Sequence, residues 1–282
     1  MTVKGILLKT TLSVAALAAV TSVNAADDKL AELRQQGFAR IAIANEPPFT
    51  AVGADGKVTG AAPDVARAVF KKLGVNDVVA SISEYGAMIP GLVARRHDAI
   101  AAGLFMTPQR CAAVAYSQPV LCAAEAFAVK KGNPKGVKSY AEIAKDPKVT
   151  IGVGGGTTEQ KLAIAAHIPN ERIVIMPDGQ SGLKMLQDGR IDVLALPMLS
   201  IKDLLAKGND TNMETIAPVP DTPVQCDGVA FRKQDTALRD AFDVELKKMK
   251  ESGEFAKIVE PYGFSAKAAM STTREKLCAS QQ

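Results

Sequence analysis

RIAIANEPPFTAVGADGKVTGAAPDVARAVFKKLGVNDVVASIS, residues 40–83, holds one full cycle of the fold. Arg40 to Asn45 is a short apolar run of strand length that breaks at Glu46, Pro47 and Pro48. Apolar residues then recur at 62, 65, 66, 69, 70 and 73, the three-and-four spacing of an amphipathic helix. DVVASIS, residues 77–83, reads as the next strand. Between the first strand and the helix, Asp55-Gly56 joins two short runs and predicts a small hairpin. Strand, helix and strand in that order begin a mainly parallel, helix-covered sheet, so the fold class is α/β.

The same alternation continues through YGAMIPGLVARR and HDAIAAGLF to Phe105. Gly132, Asn133, Pro134 and Gly136 then cluster as loop signals, and a second series follows: SYAEIAKD, VTIGVGGG, TTEQKLAIAAH, RIVIMPD, GQSGLKMLQDG and RIDVLALP. A second α/β unit is therefore expected. CDGVAFRK adds one more strand, TALRDAFDVELKKMKESG a long helix, and the closing KIVEPYGFSAKAAM must pack back on what has already folded.

The N-terminus reads as an export leader. Lys4 and Lys9 precede the apolar run LSVAALAAV, and Val23-Asn24-Ala25 is a small-x-small cleavage pattern. That run is well short of the roughly 20 residues a membrane span needs. Cleavage after Ala25 removes two lysines and lowers the formal charge from +4 to +2. No dense Lys/Arg stripe marks a nucleic-acid footprint. Cys111, Cys122, Cys226 and Cys278 are an even count in an exported chain, compatible with two disulfides. The expected pairs are Cys111 with Cys122, which are close in sequence, and Cys226 with Cys278, which would staple the tail. His97 and His167 are isolated, and no metal site or cofactor is expected.

Open α/β sheets bind ligands beyond the carboxyl ends of their strands. There this sequence places Glu46 and Phe49, then Tyr85, then Phe105 with Thr107-Pro108-Gln109-Arg110. The second series places Gly154 to Thr158, Asp178 to Ser181, and Pro197 with Met198. Each ring alone reads as core packing. Three rings at three strand ends, with one acid among them, suit a cation, because rings turn a negative face toward positive charge. Arg110 is read either as a surface arginine at a helix start or as a fork for a carboxylate. The Gly156-Thr157-Thr158 turn offers free N–H groups and a positive helix end to an anion. Gly152, Gly154 and Thr157 only partly match a dinucleotide fingerprint, and no acid follows where one is needed.

Together these residues resemble the periplasmic substrate-binding proteins of ABC transporters that take up polar amino acids and related solutes. The resemblance rests on Pro47-Pro48-Phe49, on Gly60 with Asp64, on Thr107 to Arg110, and on Gly156-Thr157-Thr158, where the match to the family's G-T-T-x-E ends because Glu159 comes one place early. It implies a two-lobed fold with two interdomain crossovers and a ligand cleft, the C-terminal segment returning to the first lobe. The expected boundaries are a leader at 1–25, a first lobe of 26–129 and 225–282, and a second lobe of 130–224, with hinges near Lys130 and Val224. Pro197 departs from the family pattern, which usually has there an aspartate that receives an α-ammonium. An under-paired charged group in a buried site costs on the order of 1–3 kcal/mol. A solute with a carboxylate and a delocalised or alkylated cation fits better, and within the family the sequence most resembles members that take up ectoine and 5-hydroxyectoine, solutes of that kind. What the resemblance implies is a small zwitterionic solute with its cation on Glu46, its ring between Phe49, Tyr85 and Phe105, and its carboxylate on Arg110 and the turn Gly156, Thr157, Thr158. It further implies a periplasmic monomer, not an enzyme, that serves a permease in the inner membrane.

Three other readings stay open at this stage. The solute is a polar amino acid, a betaine or a proline-like compound; the chain is an exported dehydratase-like enzyme; or it is also read by a receptor. Catalysis would need a poised proton donor or nucleophile, and Glu46 is the one acid in place for that.

Overall fold

The computed structural model describes Met1 and residues 28–279, apart from 209 and 221. The leader read at 1–25 falls outside the described residues except for Met1. Two five-stranded sheets form two lobes. The first sheet runs Asp77–Ile82, Phe38–Ile43, Ala99–Ile100, Ala230–Phe231, Ala115–Tyr116. Its first three strands are parallel, and Ala230–Phe231 is antiparallel to both of its neighbours. The second sheet runs Ile173–Met176, Ile151–Gly154, Val193–Pro197, Glu125–Lys130, Met213–Ile216. Again three strands are parallel and the fourth is antiparallel to both neighbours. The two series of the sequence thus build the same arrangement twice.

Both faces of each sheet are covered, which explains why the strands read as apolar runs. In Phe38–Ile43, residues Ala39, Ile41 and Ile43 enter one core while Ala42 enters the core on the opposite face. In Val193–Pro197, Val193 and Ala195 likewise separate from Leu194 and Leu196. The helix Ala61–Lys72 buries Ala62, Val65, Ala66, Val69 and Phe70, the stripe that its spacing predicts. The hairpin forms between Ala51–Val52 and Val58–Thr59, with Gly56 at φ +77° in its turn. The C-terminal segment returns to the first lobe. Phe242 of the long helix Thr236–Ser252 meets Phe70 and Phe231 edge-on, and Phe264 meets Phe49.

Two features differ from the sequence reading. Glu125–Lys130 pairs with strands of the second sheet, so the chain first passes between lobes at Ala123–Ala124, ahead of Lys130. The second passage lies between Ile216 and Gln225. The two passages meet as an antiparallel ribbon of Cys122–Ala123 with Gln225–Cys226. That ribbon also corrects the disulfides, which are Cys122–Cys226 and Cys111–Cys278. Cys122 and Cys226 face each other directly in the ladder, with Cα atoms 4.0 Å apart. Cys278 ends the helix Arg274–Cys278, which packs on the helix Pro108–Ala113 that bears Cys111. Nearness in sequence misled because the crossovers bring together residues 104 positions apart.

Candidate ligand-binding cleft

The carboxyl ends of the parallel strands of both sheets deliver side chains to one place. Beyond Ile43 the chain turns sharply: the Glu46 N–H donates to Thr50 Oγ1 at 3.0 Å, and the Thr50 N–H donates back to the Glu46 carbonyl. This turn fixes the Glu46 carboxylate in the cleft. Its Oε1 accepts from Ser200 Oγ of the second lobe at 2.7 Å. Its Oε2 lies 3.3 Å from the Tyr85 hydroxyl, which also sits 2.9 Å from the Ala102 carbonyl. One phenolic proton cannot serve both acceptors. Burial, and then the charge of Glu159, push Glu46 up to about 7, against the hydrogen bonds from Ser200 and Tyr85.

Arg110 is aimed by its helix. Thr107 caps the helix Pro108–Ala113 by accepting from the Arg110 N–H at 3.2 Å, with Pro108 in the first turn where its missing N–H costs nothing. The guanidinium is almost fully buried. Nη1 donates to the Phe105 carbonyl at 2.7 Å, and Nη2 crosses to the Gly156 carbonyl of the second lobe at 2.9 Å. Thr157 caps the helix Thr158–Ala165 and also donates to the Gly154 carbonyl at 2.9 Å. Thr158, first in that helix, has one of the N–H groups that a helix start leaves without a partner in the helix.

A small cavity of about 10 Å³ lies between these groups, lined by Glu46, Tyr85, Gly103, Phe105, Arg110, Thr157, Thr158, Glu159 and Pro197. It has room for about one water molecule. Two hydrogen bonds, Arg110 to Gly156 and Ser200 to Glu46, draw the lobes together across it, so a solute of several atoms enters by parting them. Glu46, Tyr85 and Thr157 also border a larger hollow of about 280 Å³ that includes Ser83, Ile175 and Asp178.

Seven of the nine residues singled out in the sequence line the inner cavity; Phe49 and Gly156 do not. Phe49 is 1% exposed and edge-on to Phe105 at 5.9 Å and Phe264 at 4.7 Å, so it backs the wall that Phe105 presents. Gly103 stands in front of it: a Cβ there would come 2.6 Å from Phe49 Cδ1. Gly156 turns its N–H to Gln160 Oε1 at 2.7 Å and its carbonyl to Arg110, leaving that amide no hydrogen for an anion.

Sequence reasoning passed over Ser200, Glu159 and Glu125. Glu159 was visible as an acid one place early in the Gly-Thr-Thr motif. Glu125 is the single acid in LCAAEAFAV, a charge inside a strand-like apolar run, and that was its signal. Glu125 and Glu159 are both buried, and burial is the first cause raising each carboxyl above its ordinary value. His97, its Nδ1 3.3 Å from Ser81 Oγ, takes no part in the cavity. Among the described residues no group of three His, Cys, Asp or Glu is arranged for a metal ion.

Known proteins are similar to this chain in sequence and fold. A probable amino-acid ABC transporter periplasmic-binding protein of Sinorhizobium fredii is 33% identical over 258 residues, covering 88% of this chain and 85% of its own. An ancestral arginine-binding protein solved with arginine is 28% identical, with a TM-score of 0.71 over 80% of this chain and 98% of its own. EhuB, solved in complex with hydroxyectoine, is 75% identical, with a TM-score of 0.90 over 90% of this chain and 99% of its own. Residues 39–265 match the model of the bacterial extracellular solute-binding proteins, family 3, and the chain belongs to that family.

Proposed function

We propose that this chain is the periplasmic solute receptor of an ABC importer and that its solute is ectoine or 5-hydroxyectoine. One observation carries the reading: a single buried cavity joins Glu46, Tyr85, Phe105, Arg110 and Pro197 in a chain 75% identical to a protein solved with hydroxyectoine. Glu46 takes the delocalised cation, exchanging its bond from Ser200 for one from the solute. Phe105, backed by Phe49, and Tyr85 flank the ring. Arg110 turns its fork from the Phe105 and Gly156 carbonyls to the solute carboxylate, which Thr157 and Thr158 also face. Pro197 puts no acid at the position where an α-ammonium would need one.

The receptor opens and closes about Ala123–Ala124 and the passage before Gln225, which divide it into lobes of about 26–123 with 225–282 and about 124–224. Hinge closure on a ligand is the motion such a layout allows. It acts as a monomer after losing its leader, delivers solute to a permease in the inner membrane, and performs no chemistry. A basic amino acid is the second reading, favoured by Glu159, a second carboxyl in the cavity wall.

The test is a thermal-shift screen of the protein without residues 1–25 against ectoine, hydroxyectoine, glycine betaine, proline, histidine, arginine and glutamate. A ligand at about a hundredfold over its Kd adds roughly 2.7 kcal/mol of stability. A shift confined to the ectoines supports the reading. A shift with arginine or histidine and none with the ectoines overturns the solute and leaves the receptor class standing.

A further inference from the structure

Glu125 opens the strand Glu125–Lys130 immediately after the first passage between lobes and is 1% exposed. Its Oε1 accepts from Gln225 Nε2 of the second passage at 2.7 Å. Its Oε2 is buried and accepts from nothing. The Glu125 side chain is in hydrogen-bonding contact with the carboxyl of Glu159, itself 3% exposed, at the head of the helix Thr158–Ala165 and on the wall of the inner cavity. Two ionised carboxylates have only acceptors to offer each other, so such a buried contact stands when one proton lies between them.

Glu159 also takes hydrogen bonds from the Thr157 side chain and from its own backbone N–H, and neither of these reaches the free oxygen of Glu125. From the loop after the first strand Glu46 adds a further negative charge, and from the helix Tyr140–Lys145 Tyr140 faces the pair with a buried, unpartnered hydroxyl. Arg110, from the first lobe, is the cation that acts on Glu159, and its Nη1 and Nη2 are engaged by the Phe105 and Gly156 carbonyls. Gln225 completes the ring of neighbours. The strand register gives the pair its place: Glu125 lies directly across from Pro197, so its backbone stands beside the position where the acid is missing.

We propose that Glu125 and Glu159 share a single proton at neutral pH, and that Glu125, tied to the second passage through Gln225, is a positioning residue that sets the Glu159 carboxyl against the solute. The inference rests on reading the cleft as the solute site. Burial, the Glu159 charge and the Glu159 contact raise Glu125, in keeping with a retained proton. The sign follows: a carboxyl held above its ordinary value contributes fully at low pH, and its contribution is lost as pH rises through the raised value. Glutamine at 125 copies the protonated state permanently, because its amide N–H replaces the shared proton toward Glu159 while its carbonyl still accepts from Gln225.

The experiment is calorimetry with hydroxyectoine on wild type, Glu125→Gln and Glu125→Ala, from about pH 5 to about pH 9, where one lost proton weakens binding by up to about tenfold per pH unit. The wild-type Kd is expected to climb at the alkaline end, the glutamine variant to lose that climb, and the alanine variant to bind more weakly at every pH. Identical pH profiles for wild type and Glu125→Gln, or wild-type affinity in Glu125→Ala, would overturn the proposal. Absence of heat with hydroxyectoine in wild type would sink the solute reading instead. The pair is then judged on the free protein, where the wild-type Tm should fall at alkaline pH relative to Glu125→Gln; parallel Tm curves would overturn the shared proton.

Discussion

Replacing Gly156 with alanine tests whether the lobes grip by closing as tightly as they do here. A Cβ at Gly156 would stand 2.5 Å from Gly86 Cα and 2.6 Å from Gly86 N, both backbone atoms of the other lobe. Ordinary contact begins near 3.4 Å, so the lobes must part locally by about an ångström. The hydrogen bond lost first is that from Arg110 Nη2 to the Gly156 carbonyl, which bridges the lobes at 2.9 Å. In the liganded form Arg110 turns to the solute carboxylate, so what the parting loosens there is the grip of Arg110 and the opposite lobe on the solute; a charged hydrogen bond of that kind is worth about 1.5–3 kcal/mol, so Kd should rise by roughly tenfold to a hundredfold. Gly156 also sits at φ +77°, and a side chain there costs about 1–2 kcal/mol. That strain belongs to the turn in open and closed forms alike, so it lowers Tm and leaves Kd untouched. The assay is therefore calorimetry with hydroxyectoine beside a thermal melt of the free protein. Gly155→Ala is the control, since its Cβ meets only Ile175 Cγ2 at 3.4 Å, and its Kd should stay within about twofold of wild type. Wild-type affinity in Gly156→Ala, or an equal loss in Gly155→Ala, refutes the closure argument.

Arg110→Ala should cost about 2–5 kcal/mol of binding, because it strips a buried charge from the cleft, whereas Tyr85→Phe keeps the ring and should cost about 1 kcal/mol. Calorimetry on the two variants decides, and an equal or smaller loss for Arg110→Ala removes it from the site. Asp98 is buried beside a bidentate Arg40 at 2.9 and 3.0 Å and Lys29 at 2.8 Å. Burial alone would raise its carboxyl, but the bonds from Arg40 and Lys29 outweigh burial and hold it at about 2. Its stabilisation, roughly 2 kcal/mol, is therefore present above the ordinary aspartate range and lost as pH falls toward 2. Urea unfolding in acid should show that loss, and Asp98→Asn should remove it; an unchanged acid profile counts against the pair. Peptide mapping without reduction should recover Cys111 with Cys278 and Cys122 with Cys226, and a peptide joining Cys111 to Cys122 contradicts the structure. Replacing both Cys122 and Cys226 with alanine opens a loop of 104 residues and should lower stability by up to about 4–5 kcal/mol, read by denaturant melts.

The fold was legible because its signals are local and repeated. Arg40 to Ser83 states strand, hairpin, helix and strand within one stretch, and the second series states the alternation again. The corners were legible for the same reason: Thr107 caps the helix that aims Arg110, and Thr157 caps the helix behind the turn, each by a bond three residues long. Long-range pairing was not legible. Glu125–Lys130 reads as a strand in either lobe, and only its partners Val193–Pro197 and Met213–Ile216 settle which. Once that strand moves, the passage moves with it, and Cys122 is brought opposite Cys226. Phe49 was placed in the cleft by its neighbours in sequence. What puts it behind the wall is Phe264, more than two hundred positions away, whose ring occupies the other side at 4.7 Å.

The acid absent at Pro197 bears on what kind of solute the cleft can hold. An aspartate there would stand at the end of Val193–Pro197, a fixed strand of the second lobe, and would meet a primary ammonium as a point charge. In this chain the acids stand elsewhere. Glu46 comes from the first lobe, Glu159 from the helix behind the turn, and Glu125 from across Pro197, its side chain in contact with that of Glu159. Glu46 reaches across to Ser200, so its carboxylate is held by both lobes at once. A cation bound to Glu46 then competes with a bond between the lobes and must return its strength in contacts to both. A planar, delocalised cation does so by laying its edge on Glu46 and its face on Phe105, while a compact ammonium satisfies the acid and leaves the ring uncovered. An acid at Glu46 beside Phe105, with none at Pro197, therefore exchanges recognition of a point charge for recognition of a charged ring.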